Sequence, residues 1–138
     1  MVPVIKNIKS ISFIESRMLS HITIIPGVGV TLNYWRDWQE LPVVGLSECV
    51  VTSSVENKSR LFKTKLTAFL CRHFEVNGRH LSFIITTVDG ERFLIGTNEP
   101  PYPVVNTEDI MPSRETVRSG CSLTVEYTDT VGLLPIFD

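Results

Sequence analysis

Residues 81–96, LSFIITTVDGERFLIG, constrain the fold of this chain more than any other stretch. Two runs rich in Ile, Phe, Thr and Val flank Asp89-Gly90, and such residues favour a pleated strand. Asp-Gly is a dipeptide preferred by the two-residue type I′ turn, whose central residues both take positive φ. A two-residue turn here pairs Val88 with Glu91, which sets Ile84 opposite Ile95 and Ile85 opposite Leu94. Side chains alternate along a strand, so these two pairs lie on opposite faces. The base of the hairpin is then apolar on both faces and needs cover on both. Its tip, with Asp89, Glu91 and Arg92, belongs in solvent.

The rest of the chain reads the same way. Ile8–Ile14 is apolar enough for a strand, but its alternation is imperfect. Residues 22–34 alternate better, with Ile22, Ile24, Val28, Val30, Leu32 and Tyr34 on one parity, and predict one half-buried strand broken at Pro26-Gly27. Ser47–Val55 and Arg60–Arg72 form a second hairpin around residues 56–59. In its returning strand Phe62, Thr64, Leu66, Ala68 and Leu70 face inward, and Lys63, Lys65 and Thr67 outward. That is the alternation of an antiparallel sheet with one wet face. Pro100, Pro101 and Pro103 predict an extended loop over 97–112. Met111–Arg118 predicts a single helical turn capped by Ser113. Cys121–Tyr127 is the most regular strand, with Cys121, Leu123, Val125 and Tyr127 inward. The apolar end, LLPIFD, predicts docking on its own domain or on a neighbour.

These elements predict a mainly β or α+β fold. Antiparallel hairpins would form a sandwich or partly closed barrel, with at most two short helices. The 138 residues fit a single domain, 1–138. Hydrophobic residues make up 43% and charged residues 20%, so the chain can fold around a core of its own. The net charge of −2 gives no long-range pull towards nucleic acid or an anionic membrane. Cys49, Cys71 and Cys121 are few, odd in number and far apart, which predicts no disulfide framework; each is expected to act as a small buried hydrophobe. Residues 1–17 lack the apolar run of a signal peptide, and no apolar run approaches the roughly 20 residues needed to span a bilayer. The expected location at synthesis is the cytoplasm.

Motifs for chemistry are weak. Gly27-Val28-Gly29 lacks the third glycine and the helix of a dinucleotide loop. His21, His73 and His80 match no zinc spacing, although His73 and His80 flank the turn signal Asn77-Gly78. Ser47 sits in Gly-Leu-Ser-Glu-Cys, which lacks the second glycine of a nucleophile elbow. Turn formation explains Asp89. The expectation is therefore no catalytic, metal or cofactor residue, and no enzyme. One charged feature stands out: Lys58, Arg60, Lys63, Lys65, Arg72 and Arg79 fall within 22 residues. Lys58, Arg60, Lys63 and Lys65 are the residues of a basic contact face, if the hairpin has one. Trp35, Trp38, Tyr102 and Phe137 are the residues of an aromatic interface, since aromatic side chains anchor protein contacts.

The order of these motifs resembles small β-rich proteins encoded in the tail and virion gene clusters of phages and prophages of Bacteroidetes-type bacteria. The resemblance rests on VIKNIKSISF, the Trp-containing WRDWQELP, the polar hairpin CVVTSSVENKSRLFKTKLTAFL, then IITTVDGERFLIGTNEPPYPVV and RETVRSGCSLTVEY. One departure is the bare Asp-Gly, where such proteins often carry a longer Asp-x-Asn-Gly turn. The resemblance implies a non-enzymatic structural or assembly protein that packs against copies of itself and other tail or virion proteins, and ends in a phage-like particle. It supplies no functional residues. The alternative is a small module contacting nucleic acid or phosphate through the basic hairpin.

Overall fold

The structure is a computed structural model that describes residues 4–19, 23–25, 29–31, 38–45, 47–72, 74, 76, 78–97, 101–110, 120–129 and 133–136. The chain opens with a long strand, β1 (Val4–Glu15), which runs into a single 3-10 turn, Ser16–Met18. Two short strands follow, β2 (Thr23–Ile25) and β3 (Gly29–Thr31), then β4 (Gln39–Glu40). The long hairpin is β5 (Ser47–Glu56) and β6 (Ser59–Leu70); the next is β7 (Leu81–Thr87) and β8 (Arg92–Ile95). The chain closes with β9 (Val104–Ile110), β10 (Gly120–Asp129) and β11 (Leu134–Pro135).

The expected β-rich antiparallel fold is present. Nine strands form one sheet in the order β11-β8-β7-β1-β5-β6-β10-β9, with β4 also on β1. The path has two ends, so the sheet does not close into a barrel. Strand β1 is its pivot. Residues Val4–Ile8 pair with β5 on one side, and Ile8–Glu15 pair with β7 on the other. A bulge at Lys9 marks the change: Ile8 faces Thr87 and Ser10 faces Thr86, leaving Lys9 over. A bulge bends the strand that carries it. It also explains the imperfect alternation. With Lys9 absorbed, Ile8, Ile11 and Phe13 all enter the larger core, although Ile8 and Ile11 are three residues apart.

That core draws on both halves of the bent sheet. Leu66, Leu70, Leu123 and Val125 come from β6 and β10; Phe83, Ile85, Phe93 and Ile95 come from β7 and β8. The arrangement is that of a β-sandwich made from one folded sheet. A smaller core lies on the other face of β7 and β8, where Ile14, Ile84, Leu94 and Leu134 meet Leu19 and Val30. The hairpin base is thus buried on both faces, as its sequence predicts, and Asp89, Gly90 and Glu91 at the tip are exposed.

The register of that hairpin differs by one residue from the expected one. Ile84 pairs with Leu94, Phe83 with Ile95 and Ile85 with Phe93. The turn has three residues, not two. The Gly90 amide donates to the Thr87 carbonyl at 3.0 Å, and the Thr87 amide to the Glu91 carbonyl at 2.8 Å. The Glu91 amide also donates to Thr87 Oγ1 at 3.1 Å. Gly90 alone takes the left-handed conformation, at φ 89°. This matches a three-residue loop with a glycine bulge. The two-residue turn with both central residues at positive φ occurs in the other hairpin, at Asn57 (φ 49°) and Lys58 (φ 66°).

Three further expectations change. Residues 22–34 do not make one broken strand: β2 and β3 form their own small hairpin, pairing Ile24 with Val30. The segment 97–112 contains β9, an edge strand that begins directly after Pro103, where no ladder donor is lost. Cys71 is exposed just past β6, whereas Cys49 and Cys121 are buried. Both halves of the second hairpin and the inward set of β10 are as predicted. The C-terminal segment docks on the chain itself: Leu134 pairs with Leu94, and Ile136 forms a parallel bridge with Val30. The helical turn expected over 111–118 lies outside the described residues. No helix among those described is long and apolar enough to cross a membrane.

Candidate functional site

The basic residues of the long hairpin do not share a face. Lys63 and Lys65 point outward from β6 and are exposed, while Arg60 takes the parity of the inward residues Thr64 and Leu66. Lys58 sits in the turn. Across the outer face, Lys65 lies between Val50 and Glu126, and Lys63 between Thr52 and Thr128. Glu48, one step along the same face, completes a shallow groove of about 370 Å³ with Val50, Thr52, Lys63, Lys65 and Thr67. The groove therefore mixes both signs of charge. Opposite charges across neighbouring strands support the sheet, and lysines on a sheet face keep it soluble.

The tip of this hairpin has a different character. Pairing of β5 with β1 ends at Val51, and pairing of β6 with β10 ends at Phe62. Beyond that, among the described residues, the two strands pair only with each other, out to Glu56 and Ser59. Among those residues the tip is a two-stranded arm. Val55 on it is 63% exposed, and Leu61 and Phe62 at its root are half-buried.

Of the expected aromatic interface, Trp38 and Tyr102 are among the described residues. Trp35 and Phe137 lie outside the described residues. Trp38 is half-buried and packs against the smaller core. Tyr102 is half-buried and stacks on His80, with ring centroids 4.0 Å apart and planes 17° from parallel. His21 and His73 also lie outside the described residues. Ser47 is buried at the start of β5, and its hydroxyl has no hydrogen-bond partner among the described residues.

A second concavity among the described residues adjoins that His80–Tyr102 stack. It forms where β1 ends beside the start of β7. Glu15 pairs with Leu81, and the Ser16 amide donates to the His80 carbonyl at 2.8 Å. Ser16 is buried, and its hydroxyl shares a 2.8 Å hydrogen bond with that of buried Ser82. Two adjoining hollows result. One, of about 230 Å³, is lined by Glu15, Ser16, Arg17, Gly78, Arg79, His80 and Tyr102. The other, of about 340 Å³, shares Glu15, Arg17 and Arg79 and adds Phe13, Ile14, Met18 and Gln39. Gly96 keeps the neighbouring backbone close. Its φ is 98°, and a Cβ there would sit 2.8 Å from Ser82 Oγ and 2.9 Å from Pro103 Cγ.

Sequence reasoning reached this place only in pieces. The sequence offers Tyr102 as an interface residue, His80 as one flank of the turn signal Asn77-Gly78, and Arg79 as the last of a run of basic residues. Arg17 carried no signal, because its relation to Arg79 depends on the pairing of β1 with β7. Elsewhere, Tyr127 and Asp129 are joined by a hydrogen bond from the phenol to Asp129 Oδ2 at 2.8 Å. Burial raises the Tyr127 pKa, and the Asp129 bond and charge raise it further, against a smaller lowering from Thr97.

Comparison with known proteins gives no match to any family model, to any curated protein or to any solved structure.

Proposed function

We propose that this protein is a non-enzymatic structural or assembly component of a phage-like particle, working by packing against copies of itself and neighbouring tail or virion proteins. The particle is what the sequence resemblance implies. The packing is supported by one observation above all, the arm formed by the end of β5 and the start of β6. A two-stranded hairpin is marginal by itself in water. This one carries Val55 into solvent at 63% exposure, with Leu61 and Phe62 half-buried at its root. A partner surface laid over the arm would cover those side chains and hold its register.

Light scattering over a concentration series tests this reading. The expected result is a mass above that of one chain at the higher concentrations, falling towards one chain in Val55→Lys. A monomer at every concentration, with no binding to the other proteins of a tail cluster, would rule the proposal out. The phosphate-contacting alternative has less support, since Lys63 and Lys65 share their face with Glu48 and Glu126.

A further inference from the structure

We infer that the arm at the tip of the β5–β6 hairpin docks head-to-tail on the open edge of β9 in a second copy of this chain. The contact is a specific form of the packing role proposed for the protein, and rests on it. The sheet ends unequally. At one end β11 is two residues long, and one of them is Pro135. A short strand with a proline is a blunted edge. At the other end β9 runs for seven residues, Val104–Ile110, and pairs with β10 at every one of them without a register shift. Among the described residues it pairs with no other strand. It contains neither lysine nor proline. The unpaired backbone groups of such an edge are a template for a further strand. Val104 at its start is 57% exposed, and Asn106, Thr107 and Glu108 beyond it are exposed too.

Charge selects the occupant. Residues 104–110 carry Glu108 and Asp109 and no basic residue. Residues 52–63, the arm and its root, carry Lys58, Arg60 and Lys63 against the single acid Glu56. Lys58, Arg60 and Lys63 are all exposed. Two β9 edges brought together would set acid near acid, and two arms would set base near base; like charges on neighbouring strands repel. Arm on edge is the pairing that joins opposite charges, which steers and orients an encounter. Beyond Val51 and Phe62 the arm has open backbone edges of its own among the described residues, so it can enter the ladder as a strand while Val55 gains cover. A contact between two different surfaces is heterologous. It continues from copy to copy, into a ring or a filament, and does not stop at two.

Light scattering on the full chain and two variants tests the contact. Val55→Lys disables the arm and Glu108→Lys the edge; both positions are exposed. The parent is expected to pass the mass of two chains as concentration rises. Each variant alone should stay near one chain at concentrations where the parent assembles. Mixed in equal amounts, the variants should form a complex of two chains and stop there, because the Glu108→Lys chain still offers its arm and the Val55→Lys chain its edge. Asn106→Lys is a second edge variant, and the one that keeps the parent's urea midpoint is used in the mixture. Hydrogen exchange over residues 104–110 of the parent should slow as its mass rises. A mixture that stays at one chain, a parent that stops at two, or exchange over 104–110 that does not change with concentration would each overturn the docking. Assembly lost in Val55→Lys but kept in Glu108→Lys would also overturn it, while leaving the packing role standing. A parent at one chain throughout overturns the docking as well, and binding to other tail proteins then decides the packing role separately.

Discussion

Lys58 shows how much a single backbone angle can cost. It occupies the second position of a two-residue turn at φ 66° and has a Cβ to accommodate there. The left-handed region costs an L-residue roughly 1–2 kcal/mol, and glycine escapes that cost. Lys58→Gly also creates Asn57-Gly, the pair that this turn prefers. The substitution is expected to stabilise the fold by about 1 kcal/mol, read as a higher urea midpoint with an unchanged slope. A lower midpoint would mean that Lys58 makes a contact worth more than the strain. Other single residues were legible from the local pattern alone. Leu123 and Val125 are apolar, alternate with polar neighbours and are buried. Arg17 was not legible, because its place in a hollow shared with Arg79 depends on how β1 pairs with β7.

Between elements, the two hairpins exchange turn types. The Asp-Gly signal at 89–90 located a turn correctly but named the wrong one, since Thr87 can close the loop one residue earlier with both its amide and its hydroxyl. The error moves Leu94 from the side of Ile85 to the side of Ile84. It goes unpunished in the burial pattern, because both faces of this hairpin are apolar. A consequence separates the two turns experimentally. In a two-residue turn Asp89 would need positive φ, and glycine there would help. In the observed loop positive φ falls on Gly90, so Asp89→Gly only adds freedom to the unfolded chain. Asp89→Gly is expected to destabilise by about 0.5–1 kcal/mol, opposite in sign to Lys58→Gly. A stabilising effect in the same urea experiment would restore the two-residue turn. The bulge at Lys9 was visible only as broken alternation. Nothing in a single strand says whether a break is a bulge, an end or a loop.

At the scale of the whole molecule, strand order was beyond the sequence. That β1 joins β5 to β7, and that β9 lies at an edge, depends on pairings between residues far apart in the chain. The bent sheet brings its two halves round one core, and Tyr127 marks a place where they meet. It stands on β10, bonds Asp129 on its own strand, and is touched by Thr97 just past β8. The residue is only 3% exposed, and burial is the main reason that its pKa is raised. The sign of the linkage follows. Unfolded chains lose this proton near pH 10, whereas the folded protein keeps it to higher pH. Between those two points the unfolded state binds fewer protons, so stability falls as pH rises. Below pH 10 both states are protonated, and the contribution is fully present. Urea unfolding at a series of pH values from 8 to 12 should therefore show a loss of stability beginning near pH 10. Tyr127→Phe has no proton to lose. It should be less stable than the parent at pH 8, having given up the bond to Asp129, and should decline less steeply above pH 10. The two curves converge on the alkaline side if ionisation of this one buried phenol pulls the halves apart. Parallel curves would place the alkaline transition elsewhere in the molecule.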